Sequence, residues 1–212
     1  MSYTRDEEHF KTLFEYAPIS LWEEDYSGLK HALDNLRAQG VKSLSEYLKD
    51  HPEFVDECMS KIIVRDVNEH TLTLFKAGSK QELLDNLGKI FREEMRDHFV
   101  TELLVQWRGD LSWSGEGINY TLEGKALNII LSWRILPGYE ESWERVLVSI
   151  EDITGRKEAE RRFENLFELS PISLWEEDYS DLKKYFNELR AQGVTDLKAY
   201  LEEHPEVVLH CT

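Results

Sequence analysis

Phe14-Glu15-Tyr16-Ala17-Pro18-Ile19-Ser20-Leu21-Trp22-Glu23-Glu24-Asp25-Tyr26-Ser27 occurs nearly unchanged a second time in this chain. It returns 153 positions later as Phe167-Glu168-Leu169-Ser170-Pro171-Ile172-Ser173-Leu174-Trp175-Glu176-Glu177-Asp178-Tyr179-Ser180. The correspondence continues without a gap to Cys58 and Cys211, and 28 of its 45 positions are identical. A match of that length is a duplication. It sets one folding unit at about 150 residues, an ordinary single-domain size. One whole copy and the opening third of another are therefore expected, the second lacking any counterpart of Ser60 to Thr154. The segment leaving the first copy is the one that enters the second, so a piece of a longer tandem array with shared connecting helices is expected.

With 212 residues, 41 % of them apolar and 11 % aromatic, the chain can bury a real core. Its formal charge of −17, from 42 acids against 25 bases, repels phosphate backbones and anionic lipid. Neither nucleic acid nor a membrane surface is expected as a partner. There is no run of eighteen apolar residues, and with Ser2 to Glu8 polar no signal peptide is expected at Met1. Cys58 and Cys211, at equivalent repeat positions, read as free thiols of a reducing compartment, so a cytoplasmic location is expected.

In order along the chain, Phe10, Leu13, Phe14 and Ala17 stand at helical spacing before Pro18. Ile19 to Tyr26 reads as a strand. Leu29, Leu33 and Leu36 mark a helix ended by Gly40, followed by helices over 44–49 and 53–59. A second strand is expected over 61–67 and a short helix over 68–75. Ser79 with Glu82 forms a capping box that opens another helix. Phe91, Met95, Phe99, Leu103 and Trp107 give the longest helical stripe, ended at Gly109. Strands are expected over 113–122, 126–136 and 145–150, then a charged helix over 156–169. The fold class is α+β: a five-stranded antiparallel sheet with helices on one face and a long helical insert after the first strand. The domains read as an entry helix (1–17), the sheet domain (18–154), a connecting helix (155–170) and a truncated repeat (171–212).

This order resembles the PAS (sensory box) family of bacterial and archaeal signal-transduction proteins. Asp66-Val67-Asn68, Leu74-Phe75 and Ser79-Lys80-Gln81-Glu82-Leu83-Leu84 are similar to its central signature, and Val146 to Lys157 to its exit signature. His70-Thr71 departs from the small residues the family usually carries there, and the insert over 27–59 is longer than in most members. The resemblance implies a sensory or relay module that passes change to the helix after the last strand. Asp152 and Thr154 are both good N-capping residues at that helix start, so they are candidates for a signal junction.

The candidate pocket residues are Leu72, Phe75, Phe99, Leu103, Asn119, Ile129, Leu131, Trp133, Val148 and Ile150, with a small apolar ligand or a filled core as the alternatives. Ile118 to Thr121 is similar to a strand of the flavin-binding branch, but Ile129 and Ile150 stand where that branch has amides. No cysteine lies near Leu83 to Phe91, so flavin adduct chemistry is not expected. Haem is not expected either, since His98 has polar helical neighbours and reads as solvated. Glu23-Glu24-Asp25 reads as a solvated strand end without a third metal ligand. Nucleophile, phosphate-loop and zinc spacings are absent. The expected function is a non-catalytic sensory relay, any kinase or cyclase output lying outside this chain, with a ligand-free association scaffold as the alternative. A homodimer formed through the flanking helices or the truncated repeat is expected, with Ile172, Leu174 and Trp175 as a strand to be exchanged.

Overall fold

The computed structural model describes residues 5–168, 175, 177–205 and 207. They form two compact units, one ending at Arg161 and the other beginning at Arg162.

The first unit opens with α1 (Arg5–Glu15) and β1 (Ser20–Asp25), between which Pro18 stops the helix. The insert follows as α2 (Ser27–Ala38), α3 (Leu44–Asp50) and α4 (Glu53–Met59). Gly40, at φ 87°, supplies the left-handed backbone that closes α2. The Ser43 hydroxyl caps α3 by accepting from Glu46 N–H. Leu33, Leu44, Val55 and Cys58 are all buried here. Burial pushes the Cys58 thiol up to about 12, so it packs as a small apolar group.

Next come β2 (Ile63–Val67), α5 (Glu69–Phe75), α6 (Lys80–Asp85), α7 (Leu87–Ile90) and α8 (Glu93–Arg108). The expected capping box forms with one shift. Glu82 N–H donates to the Ser79 hydroxyl, but the Glu82 carboxylate takes Gly78 N–H, not that of Ser79. Then β3 (Ser112–Tyr120), β4 (Ala126–Ile135) and β5 (Val146–Asp152) make the meander, and α9 (Thr154–Glu168) follows directly.

The sheet order is β2-β1-β5-β4-β3, with antiparallel pairing throughout. Thus the first and last strands lie side by side at its centre. Trp22 pairs with Val148, which in turn pairs with Trp133, so one row of large side chains crosses three strands on one face. That face is the buried one, and the helices pack on it: Ile129, Leu131, Trp133, Val148 and Ile150 point inward, while Leu147, Ser149 and Ser132 do not. The expected fold class is the observed one.

In the second unit α10 (Ser180–Ala191) and α11 (Leu197–Glu203) have the bounds of α2 and α3 moved by 153 positions. Gly193, at φ 93°, repeats Gly40, and the Tyr200–His204 ring contact at 4.5 Å repeats Tyr47–His51 at 4.4 Å. The strand expected for exchange lies outside the described residues apart from Trp175, which is not in a strand.

Candidate functional site

Between the inner sheet face and α8 lies a cavity of about 260 Å³. That far exceeds the few tens of Å³ one water needs and approaches the ~300 Å³ lower end of small-molecule pockets. Trp22 of β1, Leu131 of β4, and Val148 and Ile150 of β5 form its floor. Met95 and Phe99 of α8 and Phe91 before it form its roof, and the partly buried Met59, Ile62, Val64 and Leu87 complete the apolar lining.

Two acids interrupt this apolar lining. Glu24 is only 8 % exposed and Glu102 only 3 %. Burial raises the Glu24 carboxyl from 4.5 to about 7; the Tyr26 hydroxyl pulls it back, and the nearby charge of Glu102 pushes it further up. Burial also raises Glu102, against the pull of His98 and the Trp133 indole. His98 Nδ1 lies 3.0 Å from Glu102 Oε1, whereas Trp133 Nε1 is near Glu102 without a hydrogen bond of normal geometry. Buried Tyr26 also lines the cavity, and its hydroxyl is held well above its ordinary range, first by burial and then by the two carboxyls.

The sequence expectation for these polar residues is corrected in two places. The His98 side chain is only 9 % exposed, not solvated: its ring lies edge-on to Trp113 at 4.7 Å and close over Gly117, where a Cβ would crowd it. Glu23-Glu24-Asp25 is not a solvated strand end either. Glu24 shares the inward face of β1 with Trp22, the pairing of β1 with β2 shifts register between Glu23 and Glu24 by passing over Arg65, and both Glu24 and Asp25 are buried. Although burial opposes it, Asp25 is held below its ordinary range by Ser27 and Arg65, with which it forms an ion pair.

A buried polar chain leads from the cavity floor into α5. Trp22 Nε1 donates to Ser20 Oγ at 3.0 Å, Ser20 Oγ meets Thr71 Oγ1 at 2.8 Å, and Thr71 Oγ1 donates to Asn68 Oδ1 at 2.8 Å. Asn68 Oδ1 also accepts from Leu21 N–H and Thr71 N–H, while its Nδ2 donates to the carbonyls of Phe14 and Ile19. One side chain thus caps α5 and ties it to β1 and to the end of α1.

At the other end, Asp152 Oδ1 accepts from Thr154 N–H at 2.8 Å. Thr154 Oγ1 serves the sheet, accepting from Asn128 N–H of β4 at 2.9 Å, while Ile153 N–H donates back to the Asn128 carbonyl. Lys157 adds an ion pair to Glu116 of β3 at 2.8 Å. The root of α9 is therefore anchored to two strands besides its own.

With β1 and β5 adjacent at the centre, a meander at one edge and small helices on one face, the first of them capped by Asn68, the architecture is decided. The fold is that of a PAS domain. No protein-family model and no curated protein matches the chain. Among solved structures, it is similar to a domain of a sensory box sensor histidine kinase/response regulator from Geobacter sulfurreducens, at 16 % identity over 69 % of this chain and 94 % of that one, TM-score 0.42. A PAS domain from Colwellia psychrerythraea matches at 16 % identity over 71 % and 99 %, TM-score 0.46. A Rhodobacter sphaeroides LOV protein matches at 12 % identity over 76 % and 74 %, TM-score 0.48. At these identities the likeness is one of fold alone.

Within this PAS fold, Phe99, Leu131, Val148 and Ile150 line the cavity. Phe75, Leu103, Ile129 and Trp133 are buried in the core around it, and Leu72 is half-buried against that core. Asn119 is fully buried, with both amide atoms lacking a hydrogen-bond partner among the described residues. Asp152 and Thr154 stand at the junction, engaged as described. Sequence reasoning missed Trp22, Glu24, Tyr26 and Glu102. A signal was present: Glu24 is two residues from Trp22 on a strand, and Glu102 is seven residues after Met95 on the apolar stripe of α8. Among the described residues no group of acidic, histidine or cysteine side chains is placed to hold a metal ion, and no helix is long and apolar enough to cross a membrane.

Proposed function

We propose that the first unit is a cytoplasmic sensory module that takes a small molecule into the cavity and passes the change through β5 into α9. One observation carries this reading: Val148 and Ile150 of the cavity floor and Asp152 at the root of α9 belong to the same seven-residue strand. A strand that forms a cavity wall and continues into a helix translates sideways pressure into movement of that helix's first turn, because a packed core shifts between discrete arrangements and does not deform smoothly. The module acts by binding and relay, not by catalysis.

The test is chemical extraction of purified protein followed by mass spectrometry. The wild type is expected to release a small molecule, or to gain thermal stability from members of a small-molecule library. Val148→Phe fills the cavity at a cost of about 1–3 kcal/mol from overpacking and should lose both behaviours. A wild type that releases nothing and is stabilised by nothing, or a variant that matches the wild type, would remove the sensory reading.

A further inference from the structure

The cavity is an unusual mixture. Its lining is mostly apolar and aromatic, yet it includes two carboxyl side chains, each more than nine-tenths buried. Among the described residues no lysine, arginine or histidine lines it. A carboxylate offers about four lone-pair sites. Glu24 meets the Tyr26 hydroxyl, and Glu102 meets His98 and Trp133 from outside the lined space. Both acids thus retain accepting capacity toward the cavity, and each feels the other's charge as repulsion when ionised. An anionic guest would add to that repulsion. A neutral apolar guest would leave two polar groups dry and under-satisfied. A guest with one compact positive charge and an apolar body removes both costs, and the aromatic walls add attraction for a cation.

Building on the sensory reading, we propose that the cavity takes a small hydrophobic amine as its ammonium ion, the charge held by Glu24 and Glu102 and the apolar body against Trp22, Phe91 and Phe99. The ammonium provides three donors, enough to bridge two carboxylates. Apart from these carboxyls, Tyr26 and Gly88, the lining is apolar and aromatic, so an inorganic cation would find few of the oxygen ligands it needs to replace its hydration, whereas the body of an organic amine is accommodated.

Three ligands of matched shape test this by calorimetry at about pH 8, above the usual carboxylate range: 2-phenylethylamine, 2-phenylethanol and phenylacetate. The amine is expected to bind the wild-type chain at least about tenfold more tightly than the alcohol, as a charge-assisted hydrogen bond requires, and phenylacetate not to bind. In Glu24→Gln and Glu102→Gln the amine preference should fall by about tenfold or more while the alcohol is retained. Equal affinity for amine and alcohol, unchanged amine affinity in both variants, or no binding of any of the three overturns the amine assignment. The extraction measurement decides the sensory reading separately: a neutral molecule recovered from the wild type would leave that reading standing while the amine assignment fell.

Discussion

Asn68→Ala is expected to lower the unfolding free energy of the first unit by about 3–5 kcal/mol, a large share of the ~5–15 kcal/mol typical of a whole domain. Five hydrogen bonds converge on this one fully buried side chain, three on Oδ1 and two from Nδ2. Losing it removes the cap of α5, worth about 1 kcal/mol, and also strips partners from the Phe14 and Ile19 carbonyls and from the hydroxyl chain that reaches Trp22. Asn68→Asp keeps the accepting oxygen but turns a carboxylate toward those two carbonyls. It should therefore recover little beyond the cap, about 1 kcal/mol. Chemical denaturation of the three proteins checks this; an alanine variant within about 1 kcal/mol of wild type would mean that the network is not what joins β1 to α5.

The second large effect depends on pH. Glu24 is raised in the folded protein from its ordinary 4.5 to about 7, chiefly by burial, with Tyr26 and Glu102 as the titratable groups beside it. Below about pH 4.5 the carboxyl is protonated in both states and costs nothing. As pH rises from there to about 7, the unfolded chain releases its proton while the folded one keeps it, so stability falls; above about 7 the full penalty is present. At 1.36 kcal/mol per pH unit that penalty is on the order of 3 kcal/mol. Glu24→Gln, which cannot ionise, should match wild type near pH 4.5 and exceed it by about 2–3 kcal/mol above pH 7. Glu102, also raised, leaves a residual slope of the same sign in the variant. Parallel stability curves for the two proteins between about pH 5 and 8 would show that the Glu24 carboxyl is not desolvated.

The elements were readable because local chemistry and tertiary packing agree. Apolar spacing, the Ser79 cap and the glycines at 40 and 109 specify boundaries that the structure adopts, whereas the Ser43 and Asn68 caps emerge from the structure. The departure at His70-Thr71 also has a physical account: Thr71 is the hydroxyl that links Ser20 to Asn68, a task a smaller apolar residue could not perform. The acid pair had a positional signal, Glu24 on the Trp22 face of its strand and Glu102 in line with Met95, but a charged residue beside an apolar stripe defaults to water, which masks it. The cavity overrides that default, and it depends on contacts between residues far apart in sequence. Asp152 and Thr154 were recognised as potential caps, yet only the structure gives the Thr154 hydroxyl to Asn128 of a neighbouring strand.

The most direct test of the relay is amide hydrogen exchange at residues 153–157, at the root of α9, in two variants that place a phenyl ring on opposite faces of β5. Val148→Phe pushes into the cavity, whereas Leu147→Phe adds the same ring on the opposite face of the same strand. The account predicts a several-fold change in exchange at Ile153 to Lys157 for Val148→Phe and little for Leu147→Phe, since local opening of a helix terminus responds to differences of about 1 kcal/mol. The same exchange in both variants, whether changed or not, would contradict a path from the cavity to α9.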